Sequence, residues 1–177
     1  MHFMEDYRPS STGHLIKRVV PAAERTIYRP ERPLDRDALC PPGRELWILH
    51  PNGERLPIAP RPEQLQVMLL DGTWKQAAGM ARAVTGWGRR VKLPMTGASR
   101  YWLRAQGGGD RFSTVEALLF LFEALGFSAA HAQLRAQFEL HVLAGLYARG
   151  DKQKAADYLA GSPAAAAFPE LTARLAG

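Results

Sequence analysis

Asp71 is the first residue in this chain that its surroundings equip for chemistry. It ends the apolar run Val67-Met68-Leu69-Leu70, which reads as a buried strand, and the chain then turns at Gly72 and opens a helix at Thr73-Trp74. A carboxylate, a flexible glycine and a helix N-terminus then meet at the carboxyl edge of a strand, where open α/β sheets bind ligands. An aspartate there can serve as a general base, or it can simply accept N–H groups from the helix start. Thr73 and Gln76 have the spacing of a complete capping box, which leaves Asp71 with spare capacity. Trp74, on the first helical turn, is either core or the wall of a ligand pocket, where an indole can stack a planar ring.

Two other blocks carry reactive or binding side chains. Ser99-Arg100-Tyr101-Trp102-Leu103-Arg104 precedes Gly107-Gly108-Gly109. Its two arginines suit bidentate pairing with a phosphate or a carboxylate. Ser113-Thr114-Val115-Glu116-Ala117 repeats the capping-box spacing, so Ser113 and Glu116 read as structural supports. The N–H groups of such a helix start can also hold an anionic group. The histidines offer less: His131 and His141 fall on a long helix, and His2, His14 and His50 lie near turns. The first two read as surface or satisfied core residues, the other three have no carboxylate or cysteine at metal-ligand spacing, and no metal is expected. There is no Walker loop, dinucleotide fingerprint or Ser-His-Asp arrangement.

These groups must be positioned by a chain of 177 residues, enough for one domain of ordinary composition with 46% hydrophobic and 23% charged residues. Thr12 to Val20 reads as a helix stopped by Pro21, and Arg25 to Tyr28 as a strand. Arg29 to Pro42 reads as a surface connection with a helical turn. Leu46 to Leu49 is an apolar strand that Pro51-Asn52-Gly53 should end, and the loop Pro57 to Pro62 leads into the strand that delivers Asp71. A helix from Thr73 toward Val84 follows, then a strand from Arg90 to Leu93 halted by Pro94. Ala117 to Leu125 is apolar on nearly every side and should be buried. Ser128 to Arg149 carries Leu134, Phe138, Val142 and Leu146 along one face. Two short helices, Lys152 to Ala160 and Ala164 to Leu175, close the chain. Strands alternating with helices predict an α/β fold: a single domain with a mostly parallel sheet flanked by helices and a helical C-terminal tail.

The net charge is +6, and between Asp71 and Asp110 there is no acidic residue, while Lys75, Arg82, Arg89, Arg90, Lys92, Arg100 and Arg104 fall there. That distribution suits either a solvated basic face or a phosphate-binding surface, and its overlap with the candidate site favours RNA contact. No apolar run reaches the roughly 20 residues of a membrane span. The start has no secretory pattern, and Cys40 is the single cysteine, so a reducing cytoplasm is expected.

Asp71-Gly72-Thr73-Trp74, with the 99–104 and 113–117 blocks and the early Arg8-Pro9-Ser10-Ser11-Thr12-Gly13-His14-Leu15-Ile16, resembles the DTW-domain family. The resemblance covers roughly residues 1 to 149, as a DTW domain, and leaves 150 to 177 as a helical extension packed on it. It implies a SPOUT-like fold with a deep trefoil knot, which ordinary topology rules would exclude. It implies transfer of the 3-amino-3-carboxypropyl group of S-adenosylmethionine to N3 of a uridine in tRNA, with release of methylthioadenosine. Asp71 would be the base and Trp74 would shape the pocket. Leu70, Gly72, Thr73, Ser113, Thr114 and Glu116 would line the cofactor site, and Arg100, Arg104, Lys75, Arg89 and Arg90 would meet the RNA. Many members carry an upstream cysteine cluster resembling a zinc site, which this sequence lacks, and a first strand is expected to be missing. A SPOUT-like methyltransferase and a non-enzymatic RNA-binding module are the alternatives. A monomer is favoured over a homodimer.

Overall fold

The computed structural model describes residues 1–57, 61–104 and 112–176. The chain divides into two compact units, Met1–Gly13 with Glu24–Met95, and His14–Ala23 with Thr96–Gly177. Its class is α/β, as the alternation of elements predicts. The triple glycine and part of the Pro57 to Pro62 loop lie outside the described residues.

The first unit holds a three-stranded sheet of β1 (Glu45–Arg55), β2 (Leu65–Met68) and β3 (Arg89–Lys92), in the order β2-β1-β3 and parallel throughout. Burial is concentrated in the first half of the middle strand, at Leu46, Trp47 and Ile48, and at Val91 of β3. Leu46 and Ile48 pack with Val84 and the half-buried Leu34, Cys40, Met68, Leu70 and Trp87. The apolar run before Asp71 is therefore not the buried strand its composition suggests. It sits at the sheet edge, half-buried, and leaves the ladder at Met68. Pro51-Asn52-Gly53 does not end β1 either. The register slips between Leu49 and Glu54, which both oppose Val91, so the turn is absorbed as an irregularity within the strand. Gly53 permits this, because a Cβ there would stand 2.6 Å from the Val91 backbone. Arg25 to Tyr28 forms no strand; Tyr28 makes one isolated bridge, to His2. A single turn of helix, α2 (Arg36–Leu39), interrupts the proline-rich connection and is capped by Asp35.

α3 (Trp74–Ala83) joins β2 to β3. Its N-terminus has the full capping box: Gln76 N–H meets Thr73 Oγ1 at 3.4 Å, and Thr73 N–H meets Gln76 Oε1 at 2.7 Å. Such a cap contributes about 1 kcal/mol and fixes where the helix begins.

In the second unit α4 (Thr114–Ala124) and α5 (Ser128–Ala148) pack together, followed by α6 (Lys152–Leu159), α7 (Ala164–Ala167) and α8 (Pro169–Ala176). Val115, Leu118, Leu119, Leu121 and Phe122 of α4 are buried, as its apolar character predicts. The stripe Leu134, Phe138, Val142 and Leu146 of α5 is at most 1% exposed. Each such side chain contributes roughly 1.5–3 kcal/mol of transfer free energy. The last expected helix is split at Phe168, because Pro169 lacks the N–H that would continue α7. α1 (Gly13–Val19) matches the early helix, and Leu15 is its buried residue.

Candidate active site

The residues singled out by their chemistry divide between the units. Leu70 to Lys75, Arg89 and Arg90 lie in the first; Arg100, Arg104, Ser113, Thr114 and Glu116 lie in the second.

Asp71 follows β2 after two residues outside the ladder, at the carboxyl edge of the sheet. The reversal of strand order falls between β1 and β3, so no switch-point crevice explains Asp71. The N-terminal segment does. His2 N–H donates to the Asp71 carbonyl at 2.8 Å, and Ser11 Oγ lies 3.5 Å from Asp71 Oδ2. Gly13 packs so tightly that a Cβ on it would run into the same carboxylate oxygen. His2, Ser11, Thr12 and Asp71 are all buried, with Asp71 at 9% exposure. Glu5, also buried, pairs with Arg8 at 3.0 Å and stiffens the segment. Two motifs 60 residues apart thus converge on one carboxylate.

Trp74 is not core. Its indole is 46% exposed on the first turn of α3. Gly72 lies against that helix, where a Cβ would stand 2.9 Å from Gln76 Cβ. Leu70 turns to the apolar cluster of the sheet. Thr73 is the cap itself, and Lys75 is exposed. Arg89 pairs with Glu54 at 2.6 Å, and Arg90 donates to the Ala81 carbonyl at 2.9 Å and to Thr85 Oγ1 at 3.1 Å. Burial, with the nearby Arg90 charge second, holds the His50 imidazole pKa below its usual range.

In the second unit the Glu116 carboxylate organises both motifs. It is 5% exposed. Oε1 accepts the Arg100 N–H at 2.7 Å, Oε2 accepts the Ser113 N–H at 2.7 Å, and Ser99 Oγ donates at 2.9 Å to Oε1 and 3.0 Å to Oε2. Ser99 Oγ in turn accepts the Tyr101 N–H at 3.1 Å. The capping box expected from sequence is present, and the same glutamate also ties down the 99–104 segment.

Arg100 is engaged inward. Its Nη2 donates to Glu139 Oε2 at 3.0 Å and to the Tyr158 carbonyl at 2.9 Å, and its guanidinium lies 4.0 Å from the centre of the Tyr158 ring. Glu139, 1% exposed, is also held by Arg135 at 3.1 Å. Arg104 is half-buried over the Tyr101 ring. Leu103 seats against α5 at Gly145, where a Cβ would come within 2.6 Å of a Leu103 methyl. Glu139, Tyr158 and Gly145 carry no motif in the sequence, and only the packing of α5 and α6 brings them to this segment.

Among the described residues no group of three or more histidine, cysteine, aspartate or glutamate side chains is arranged to hold a metal. Among the same residues no helix is long and apolar enough to cross a membrane. Comparison with curated proteins and with solved structures gave no match. A family model described as the DTW domain matches residues 1–144, which take in Ser11, Gly13, the Asp71 edge and the Glu116 cluster. The chain belongs to the DTW-domain family, the family of the tRNA-uridine aminocarboxypropyltransferases.

Proposed function

We propose that this protein transfers the 3-amino-3-carboxypropyl group of S-adenosylmethionine to N3 of a uridine in tRNA. The observation that carries this reading is the buried Asp71 carboxylate, fixed by Ser11 and Gly13 three residues before a half-exposed indole. The reading includes a SPOUT-like knotted topology, a cytoplasmic location and a monomer.

The side chains fit a sulfonium nucleoside. A carboxylate and an indole face both attract a cation, and the indole also stacks a purine. When bound, S-adenosylmethionine supplies an electrophilic γ-carbon and a neutral thioether leaving group. Uracil N3 is a poor nucleophile while it holds its proton, and Asp71 is assigned to accept that proton as the N–C bond forms. Ser11 and Gly13 hold the carboxylate in one orientation, which matters because orientation selects the carbon attacked. Trp74 stacks the base or the adenine. Gly72 and Thr73 present backbone to the ligand, with Leu70 behind them. Ser113, Thr114 and Glu116 keep the second unit's helix start in register. Lys75 and Arg104 are assigned to anionic groups of the RNA or the cofactor. Arg89, Arg90 and Arg100 are assigned to RNA phosphates, with Arg89 and Arg100 exchanging the carboxylate partners described above.

The test is incubation of the purified protein with unmodified tRNA and S-adenosylmethionine, followed by digestion and mass analysis of the nucleosides. Uridine gaining an aminocarboxypropyl mass, with the gain lost in Asp71→Asn, is the expected result. A methyl gain would make the protein a methyltransferase. Bound but unchanged tRNA would make it a binding module. Full activity in Asp71→Asn would remove the base assignment alone.

A further inference from the structure

Trp102 stands between two buried neighbours, Tyr101 at 5% and Leu103 at 4% exposure, yet is itself 41% exposed. An outward position in such an alternating segment ordinarily takes a polar residue, since an exposed indole leaves apolar surface in water. This indole is also held from behind. The Tyr158 ring, fully buried, meets it edge to face at 5.1 Å, and the Arg100 guanidinium lies 5.8 Å from its centre. Both supports are fixed in turn, because Arg100 is bonded to buried Glu139 and to the Tyr158 carbonyl. The segment's far end is anchored by Arg149, an exposed residue whose Nη1 donates to the Leu103 carbonyl at 2.6 Å.

We propose that Trp102 is a stacking platform for an unpaired RNA base, with Arg149 and Arg104 facing the phosphates that flank that base. A preorganised aromatic face costs little ordering on binding, and every base offers a π-face to it. The charge pattern agrees. Arg100 and Arg135 balance the buried Glu139 and Glu116 carboxylates, and the exposed Arg149 adds a positive charge at the Leu103 carbonyl. Such a field suits a polyanion and repels a basic peptide. Tyr158 lies beyond the 1–144 stretch that the family model matches, so this platform depends on a helix that the family match does not include. The inference rests on RNA being the substrate.

The experiment titrates fluorescently labelled unmodified tRNA, and separately a single-stranded oligouridylate, with the full chain and with Trp102→Leu and Trp102→Tyr. The ring packs on Tyr158, so each variant is checked for the wild-type circular dichroism spectrum and titrated well below its melting transition. Removing one stacked base contact should weaken binding roughly 5- to 150-fold in the leucine variant. The tyrosine variant, which keeps a ring, should stay close to wild type. Leucine binding as tightly as wild type would overturn the platform and leave the proposed reaction standing. Equal losses in both variants would also overturn it, by removing the requirement for a π-face. A wild-type chain that binds neither RNA would overturn the inference and the proposed function together.

Discussion

Replacing Glu116 by glutamine separates a structural from a catalytic role for the capping box. The carboxylate accepts a backbone N–H at each oxygen, from Arg100 and from Ser113, both at 2.7 Å. The amide offers one oxygen and one NH2 group of similar size. Whichever way it turns, one backbone N–H faces another donor and loses its acceptor. The Ser99 hydroxyl can rotate and rescue its own bond, but the backbone N–H cannot. A buried donor left unsatisfied costs about 1–3 kcal/mol. For a chain of this size that corresponds to a fall of roughly 2–12 °C in melting temperature. The assay is urea or thermal unfolding followed by circular dichroism, with transfer activity measured well below the transition. Activity that persists in the folded variant supports the structural assignment. A variant within about 0.5 kcal/mol of wild type would refute the bonding argument, since surface-level changes are of that size. Normal stability with abolished transfer would mean that Glu116 touches the reacting groups.

Gly13→Ala drives a methyl into the Asp71 carboxylate. Overpacking of this kind costs about 1–3 kcal/mol, and displacing a catalytic group by an ångström can lower the rate about a hundredfold. Transfer kinetics should therefore fall by more than the loss of folded protein explains; parallel losses would show that Asp71 needs no fixed orientation. Tyr158→Phe removes a buried hydroxyl with no partner among the described residues, while keeping the ring over Arg100. Stability at neutral pH should be unchanged or slightly raised. Burial first, and the neighbouring Glu139 charge second, push the Tyr158 phenol above its ordinary value of 10.0. The folded state then keeps a proton that the unfolded state releases, so this group's contribution is complete below pH 10 and is lost as pH rises beyond it. Unfolding free energy measured between pH 9 and 11 should fall less steeply in the phenylalanine variant, and equal slopes would contradict the burial.

The sequence was most legible where structure is decided within one helical turn. Thr73 with Gln76 and Ser113 with Glu116 announce their caps because both partners lie three residues apart. The α5 stripe is equally plain, since a 3.6-residue period leaves one face for Leu134, Phe138, Val142 and Leu146. Strand limits were less legible. Pro51-Asn52-Gly53 has turn chemistry and does turn, but the pairing with Val91 resumes after it, a fact that belongs to β3 rather than to the turn. Whether Val67 to Leu70 was central or peripheral depended on strand order, which no local pattern encodes. Within the candidate site, Asp71 and Trp74 could be picked out by type and spacing. Ser11 and Gly13 entered the sequence reading only as part of a resemblance. Their meeting with Asp71 is a tertiary contact across 60 residues.

Positive charge shows the limit most clearly, because an arginine's type says nothing about what it already holds. Arg89 and Arg100 both read as RNA contacts, and both are paired in the structure, yet the two pairs differ in kind. Glu54, the partner of Arg89, has a side chain 67% exposed, against 41% for the arginine. A pair in that setting contributes about 0–1 kcal/mol, so a phosphate can displace the glutamate at little cost. Glu139, the partner of Arg100, is 1% exposed on α5. Removing its arginine leaves a buried carboxylate with Arg135 alone; breaking a buried pair outright costs about 3–5 kcal/mol, and the remaining Arg135 contact offsets part of that. Arg89→Ala should therefore leave the melting temperature nearly unchanged, weaken tRNA binding and lower the dependence of log affinity on log salt by about one unit. Arg100→Ala should show the reverse balance, with a large fall in melting temperature before any effect on the salt slope is measurable. A stable Arg100→Ala protein with a reduced slope would mean that Arg100 faces the RNA, and that Glu139 is satisfied without it.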